Sequence, residues 1–270
     1  MGLFFTTRDL PRPTALRFAL DGAGHTYEDG QVGLEPTSLT ITERRVAVIG
    51  LNGSGKSTLL GLLDGSLAAT RGTVTIQGVH DADGTSADEE TLDTASKRDR
   101  KRIDQLIGRV RREEIPNAFY RAATIGDAVD EALKKHKVPQ SERQARIGNL
   151  FAHFSLADVA RRRADELDSE KRHLLAITAA LSFDPSAIVA DEPSKGLDEI
   201  GTRHVAEALF GYDKQVVFAT HDTAMITRPE YAIDRALVLD EGSIAFDGAP
   251  AQAVEFYERL IRDKAAALRA

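Results

Sequence analysis

The sequence contains no cysteine. Disulfides, thiolate metal sites and a cysteine nucleophile are therefore excluded, and the absence fits a reducing compartment. No run reaches the roughly 18 apolar residues that a bilayer-spanning helix needs. The segment Met1–Leu20 carries Arg8, Asp9, Arg12 and Arg17 with Pro11 and Pro13, and lacks the apolar stretch and small-residue cleavage site of a secretory signal. The expectation is a cytoplasmic chain, with any membrane role supplied by a partner. Positive charge is not in excess either: 35 Lys and Arg against 42 Asp and Glu give a net charge of −7. This argues against a protein that coats nucleic acid through its overall charge; a local basic patch is still allowed, but no nucleic-acid partner is expected. There is no internal repeat and no low-complexity tract.

What is present is the composition of a folded protein: 270 residues, 42% apolar and 29% charged. This suffices for one large domain or two modest ones around a substantial core. Residues 1–13 read as a loose extension. Thr14–Leu20 and Gly24–Tyr27 read as short strands before a turn at Glu28-Asp29-Gly30. Ser38–Thr42, Val46–Ile49 and Thr73–Gln77 are further strand-type runs, and Thr58–Asp64 reads as a helix. Residues 81–102 form a polar insertion. Asp81–Asp93 holds six acids and no base, and Lys97–Arg102 holds five bases and one acid. A surface excursion, made of a loop and a charged helix, is expected there. Ile103–Val110 is a mixed apolar segment. Ile125–His136, Ser141–Leu156 and Lys171–Phe183 have helical spacing. Ala187–Ala190 and Val216–Ala219 are buried-strand candidates, with a helix over 201–210 between them. Ala236–Leu239 and Ser243–Phe246 form a late strand pair around Glu241-Gly242, and Val254–Leu268 a last helix. Strands alternating with helices predict an α/β fold with a largely parallel sheet.

The strongest chemical signal is Gly50-Leu51-Asn52-Gly53-Ser54-Gly55-Lys56-Ser57, followed by Thr58. It matches G-x-x-x-x-G-K-[ST] and lies between a predicted strand and a predicted helix. Glycines let the backbone curl so that its N–H groups point at phosphate oxygens, and the helix N-terminus adds a favourable dipole. Lys56 is placed to reach the β- and γ-phosphates and Ser57 to coordinate Mg2+.

A second element is Ile188-Val189-Ala190-Asp191-Glu192-Pro193, an apolar strand ending in two acids. Alone, such a pair is more often a capped strand end. Beside a phosphate loop it suits a Mg2+-held phosphate site, with Asp191 holding the metal through water and Glu192 orienting and deprotonating the attacking water. His221 ends another strand. A single histidine there is commonly structural, but an imidazole 30 residues after Asp191 can also hydrogen-bond a γ-phosphate.

Gly50–Ser57, Asp191-Glu192-Pro193, Ser194-Lys195-Gly196-Leu197-Asp198 and His221 together resemble an ATP-binding-cassette ATPase domain, in order and in spacing, over roughly residues 14–260. In that family they correspond to the Walker A loop, the Walker B strand, the D-loop and the switch histidine. The resemblance implies a P-loop NTPase with a mixed sheet core, an antiparallel β lobe and a helical subdomain, here at about 113–182, with 261–270 as the end of the last helix. It implies ATP and Mg2+, a second ATPase subunit and separate transmembrane transport subunits, and a place on the inner face of the membrane. Tyr27 stands where the family has an aromatic residue that stacks on adenine; as a strand residue it also suits the core. The loop Leu51–Thr58 and the tail Val238–Pro250 are similar to energy-coupling-factor and cobalt-type importer ATPases.

Two family elements depart from pattern. The L-S-G-G-Q signature, which binds the γ-phosphate held by the other subunit, aligns without gaps on Leu167-Asp168-Ser169-Glu170-Lys171. Asp168 then replaces the serine and Glu170 a glycine. A one-residue shift aligns Ser169 with the serine instead; both glycines are lost either way. Arg112 stands about where the family's Q-loop glutamine belongs. The resemblance therefore implies a dimer with a complete P-loop and a damaged signature, in which a partner with an intact signature restores one site. A mainly regulatory nucleotide-binding subunit and a soluble ABC ATPase without a transport role are the alternatives.

Overall fold

The structure, a computed structural model, describes residues 13–79, 91–111 and 115–267. β1 (Ala15–Thr26) and β2 (Val32–Ile41) open an antiparallel sheet of order β2-β1-β4-β5, completed by β4 (Arg71–Val79) and β5 (Thr91–Asp93). The two short strands expected over 14–27 are one. Between Leu20 and Ala23 the pairing shifts register, and Gly22 takes a left-handed φ of 54° there. The chain bulges and the ladder resumes.

The second sheet has six strands in the order β10-β9-β3-β8-β7-β6. β3 (Arg45–Gly50), β6 (Ile107–Arg111), β7 (Ala187–Asp191), β8 (Gln215–Ala219) and β9 (Arg235–Asp240) are parallel; β10 (Ser243–Gly248) is an antiparallel edge. The predicted largely parallel α/β sheet is thus present. Its central strands are short apolar runs because both faces are covered. Val46 and Val48 of β3, Val217 of β8 and Leu237 of β9 point to a core shared with the antiparallel sheet and α1 (Lys56–Leu63). Their neighbours Ala47, Phe218 and Val238 point to a core on the other face, capped by α6 (Ser169–Leu181), α7 (Glu199–Gly211) and α9 (Pro250–Ala267). The period of two is what sorts each strand between the two cores.

Gln215 ties the two sheets together. It is buried at the start of β8, accepts from the Leu16 N–H at 2.8 Å and donates to the Leu16 carbonyl at 2.9 Å and the Glu43 carbonyl at 3.0 Å. Removing it strands buried backbone groups, each costing about 1–3 kcal/mol. Gln215→Ala is expected to lower unfolding stability by about 3 kcal/mol, read as a drop in the urea midpoint at unchanged m-value.

Residues 81–90 of the insertion lie outside the described residues; 91–102 are mostly exposed or half-buried and lead into the charged helix expected there, with an edge strand that was not expected. Leu92, buried, docks β5 on β4, and Ile103 and Leu106 bury one side of α2 (Arg100–Leu106). One apolar residue in an acidic run is enough to seat a three-residue edge strand. The expected loose extension at 1–13 lies outside the described residues except for Pro13. α3 (Asn117–Arg121), α4 (Ile125–Lys135) and α5 (Gln140–His153) precede α6; α3 has no counterpart among the predicted helices, because five residues are too few to show a helical period. α8 (Thr223–Thr227) is similarly short.

Candidate nucleotide site

The parallel strands β3, β7 and β8 end on the same side of the sheet, where such folds hold their ligands. β3 runs into the glycine loop, and α1 begins at Lys56 immediately after it. Gly55 has a φ of 102°, and a Cβ there would lie 2.5 Å from the Gly33 carbonyl oxygen. Only glycine lets the loop pass so close to β2. Gly55 also has no side chain to cap α1, so the first-turn N–H groups remain available to an anion. The turn between β9 and β10 holds the loop from behind: the Gly242 N–H donates to the Ser54 carbonyl at 3.1 Å. The Ser54 hydroxyl is buried without a partner.

Lys56 is 8% exposed, and its Nζ donates to the carbonyls of Gly50 at 2.8 Å and Leu51 at 2.9 Å. Burial holds its pKa below the usual lysine value, opposed by the charges of Glu192 and Asp191. A further anion beside Lys56 would favour its charged form.

β7 delivers the acids. Asp191 Oδ2 accepts from Ser57 Oγ at 2.6 Å. Glu192 is buried, its N–H donates to the Ala219 carbonyl at 3.0 Å, and its φ of 52° puts a non-glycine residue in the left-handed region. Such strain, about 1–3 kcal/mol, concentrates at functional positions. Glu192 Oε2 lies 2.7 Å from Nδ1 of His221, just past the end of β8.

Asn52, Gly53, Ser54, Gly55, Lys56, Ser57 and Thr58 line a single cavity of about 500 Å3 together with Tyr27, Asp191 and Glu192. Gly50 lies beneath it as a ligand of Lys56. His221 reaches the cavity through Glu192 and itself lines a neighbouring space of about 400 Å3. The Tyr27 ring covers Gly33, where a Cβ would meet it at 2.5 Å, and its hydroxyl is 2.8 Å from Thr58 Oγ1. The ring is 38% exposed, on the cavity wall rather than in the core. Sequence reasoning missed Gly33 on β2 and Gln31 just before it, both from the other sheet, and gave Lys195, which lines both spaces, no role of its own within the D-loop segment. Only adjacency to the acid pair could have flagged Lys195.

The signature region is closed in a specific way. Asp168 caps α6, its Oδ1 accepting from the Lys171 N–H at 2.8 Å. Glu170 Oε1 is 2.9 Å from Nδ1 of His204 on α7. Lys171, one cation that could compensate, is held by Asp158 at 2.8 Å. Arg172 lines a different cavity with Arg109 and Arg111. The cap position of α6 is thus filled by Asp168. Arg112 lies outside the described residues; β6 ends at Arg111, which donates to Asp64 Oδ2 at 2.8 Å.

Fold and site together define a P-loop nucleotide-binding cassette. The family profile described as "ABC transporter" matches residues 34–195. The biotin transport ATP-binding protein BioM of Rhizobium etli is 29% identical over 245 residues, 91% of this chain and 99% of that protein. An ABC-transporter-type ATP-binding protein of Deinococcus radiodurans is 31% identical over 237 residues, 87% of this chain and 95% of that protein. Among solved structures, CbiO1 of Clostridium perfringens, part of the CbiONQ complex, superposes with a TM-score of 0.72 at 24% identity, over 91% of this chain and 93% of that one. A dimeric post-hydrolysis state of the cassette MJ0796 with ADP and Pi superposes with a TM-score of 0.68 at 23% identity, over 86% and 98%. The chain belongs to the ABC transporter family, as an ATP-binding ATPase subunit. The fold and family expected from the sequence are borne out.

Proposed function

We propose that this chain hydrolyses MgATP in its P-loop cavity and drives separate transmembrane subunits from the inner face of the membrane. The convergence of Lys56, the Ser57–Asp191 pair and the Glu192–His221 pair on one cavity carries this reading. Among the described residues no helix is long and apolar enough to cross a membrane, and the membrane-spanning part is assigned to those partner subunits.

Each residue has a definite task. The loop N–H groups from Gly53 to Thr58 and Lys56 bind phosphate oxygens. Tyr27 supplies a ring for the adenine, its hydroxyl held by Thr58. Ser57 and Asp191 present hard oxygen donors 2.6 Å apart, a set suited to Mg2+, which neutralises phosphate charge when bound. Glu192 accepts the proton of the water that attacks the γ-phosphorus; the bond to the β-phosphate oxygen breaks, and ADP and phosphate leave. His221 orients that carboxylate and donates to the γ-phosphate.

The second subunit is unequal. In a head-to-tail pair each nucleotide lies between one P-loop and the partner's α6 N-terminus. Here the Asp168 carboxylate accepts from the Lys171 amide at the N-terminus of α6, and Glu170 adds a second carboxylate, so a γ-phosphate is repelled. The chain is therefore read as half of an asymmetric pair, its P-loop completed by a cassette with an intact signature. For the reading as a whole, His221→Ala is the first test. Turnover is expected to fall about 10–100-fold while ATP affinity changes less than about threefold, in steady-state kinetics and equilibrium binding. Equal loss in both would remove the histidine from the chemical step.

A further inference from the structure

We infer that Lys195 is a second binding residue for the terminal phosphate of the nucleotide, supplied by this chain to its own P-loop site. The inference rests on the nucleotide reading of the cavity and adds to it a residue that the loop motif does not contain.

Charge balance is the first argument. The cavity is lined by two carboxylates, Asp191 and Glu192, and two lysines, Lys56 and Lys195. With Lys56 alone, one cation would face two acids, a poor receptor for a ligand carrying several negative charges. Lys195 balances the lining.

Availability is the second. Lys56 is engaged by two loop carbonyls, Asp191 by Ser57 and Glu192 by His221. Lys195 forms no ion pair or side-chain hydrogen bond among the described residues, and it is exposed. An ammonium beside a phosphate cavity and free of other partners gives up little to bind there.

Placement is the third. The loop that carries Lys195 is anchored on both sides. The Lys195 N–H donates to the Glu192 carbonyl at 3.1 Å, the Leu197 N–H donates to the Ser194 carbonyl at 3.2 Å, and Asp198 caps α7 through the Gly201 N–H at 2.8 Å. Lys195 thus stands at the carboxylate end of the cavity, where the reacting phosphate lies, and Tyr27 marks the nucleoside wall. A cation there supplies from within the chain part of what an intact signature supplies from outside.

Lys195→Ala and Lys195→Arg test this by titration with MgADP and with a non-hydrolysable MgATP analogue at low and high salt, beside wild type and Lys56→Ala. Lys195→Ala is expected to weaken the analogue about tenfold and ADP less than about twofold, and Lys195→Arg to stay within about threefold of wild type. The salt dependence of analogue binding should flatten in Lys195→Ala, which a purely structural role would not produce. Equal losses for both nucleotides, or none, overturn the assignment while leaving the P-loop reading intact if Lys56→Ala loses both. A wild-type chain that binds neither nucleotide overturns the nucleotide reading, and the Lys195 assignment with it.

Discussion

Glu192→Gln is expected to reduce ATP turnover about 10³-fold while ATP still binds. Glutamine keeps the shape and one hydrogen-bond acceptor but cannot take a proton from water. Glu192 is buried and lies 2.7 Å from His221, a contact that the amide oxygen of glutamine can keep. The nucleotide remains unhydrolysed, and with a partner the complex accumulates in its ATP-bound, associated form. Rapid-quench turnover and size-exclusion chromatography with and without MgATP measure the two effects. Turnover unchanged by this substitution would remove Glu192 as the base.

Lys56→Ala is expected to weaken MgATP binding about a hundredfold and to abolish turnover at ordinary nucleotide concentration. The side chain is already folded over the loop by the Gly50 and Leu51 carbonyls, so little ordering remains to be done when phosphate arrives. Its loss removes a cation from a lining that also holds Asp191 and Glu192. Lys56→Arg does not rescue, since a planar guanidinium is too large for a pocket where the lysine is 8% exposed. Fluorescent-nucleotide titration gives the affinity, and retained cooperative unfolding shows that the loss is local.

The glycine loop was legible because its chemistry is contiguous: curl, dipole, cation and hydroxyl follow one another within Gly50–Ser57. The acid pair was legible because two charges at the end of an apolar strand stand out, and the phosphate loop gives them a ligand to face. Other features depend on distant segments meeting. Gly33 reaches the loop only through the pairing of β1 and β2, and Gln215 reveals its role only when Leu16 lies beside β8. The signature frame stayed open in the sequence because Asp168 and Ser169 both suit a helix start. The bond from the Lys171 N–H to Asp168 shows which of them caps α6. Leu92 was hidden by the acids around it.

The central claim is a chain with one complete P-loop face and one α6 face closed by its own carboxylate. The most direct measurement is ATP turnover by the purified chain across protein concentration, beside the variant Asp168→Ser/Glu170→Gly. Serine keeps the helix cap, so α6 is retained while both charges are removed. The account predicts slow turnover by the wild-type chain at every concentration, and a gain of about tenfold or more in the double variant wherever it self-associates. Fast, concentration-dependent turnover by the wild-type chain, with no gain in the variant, would contradict it.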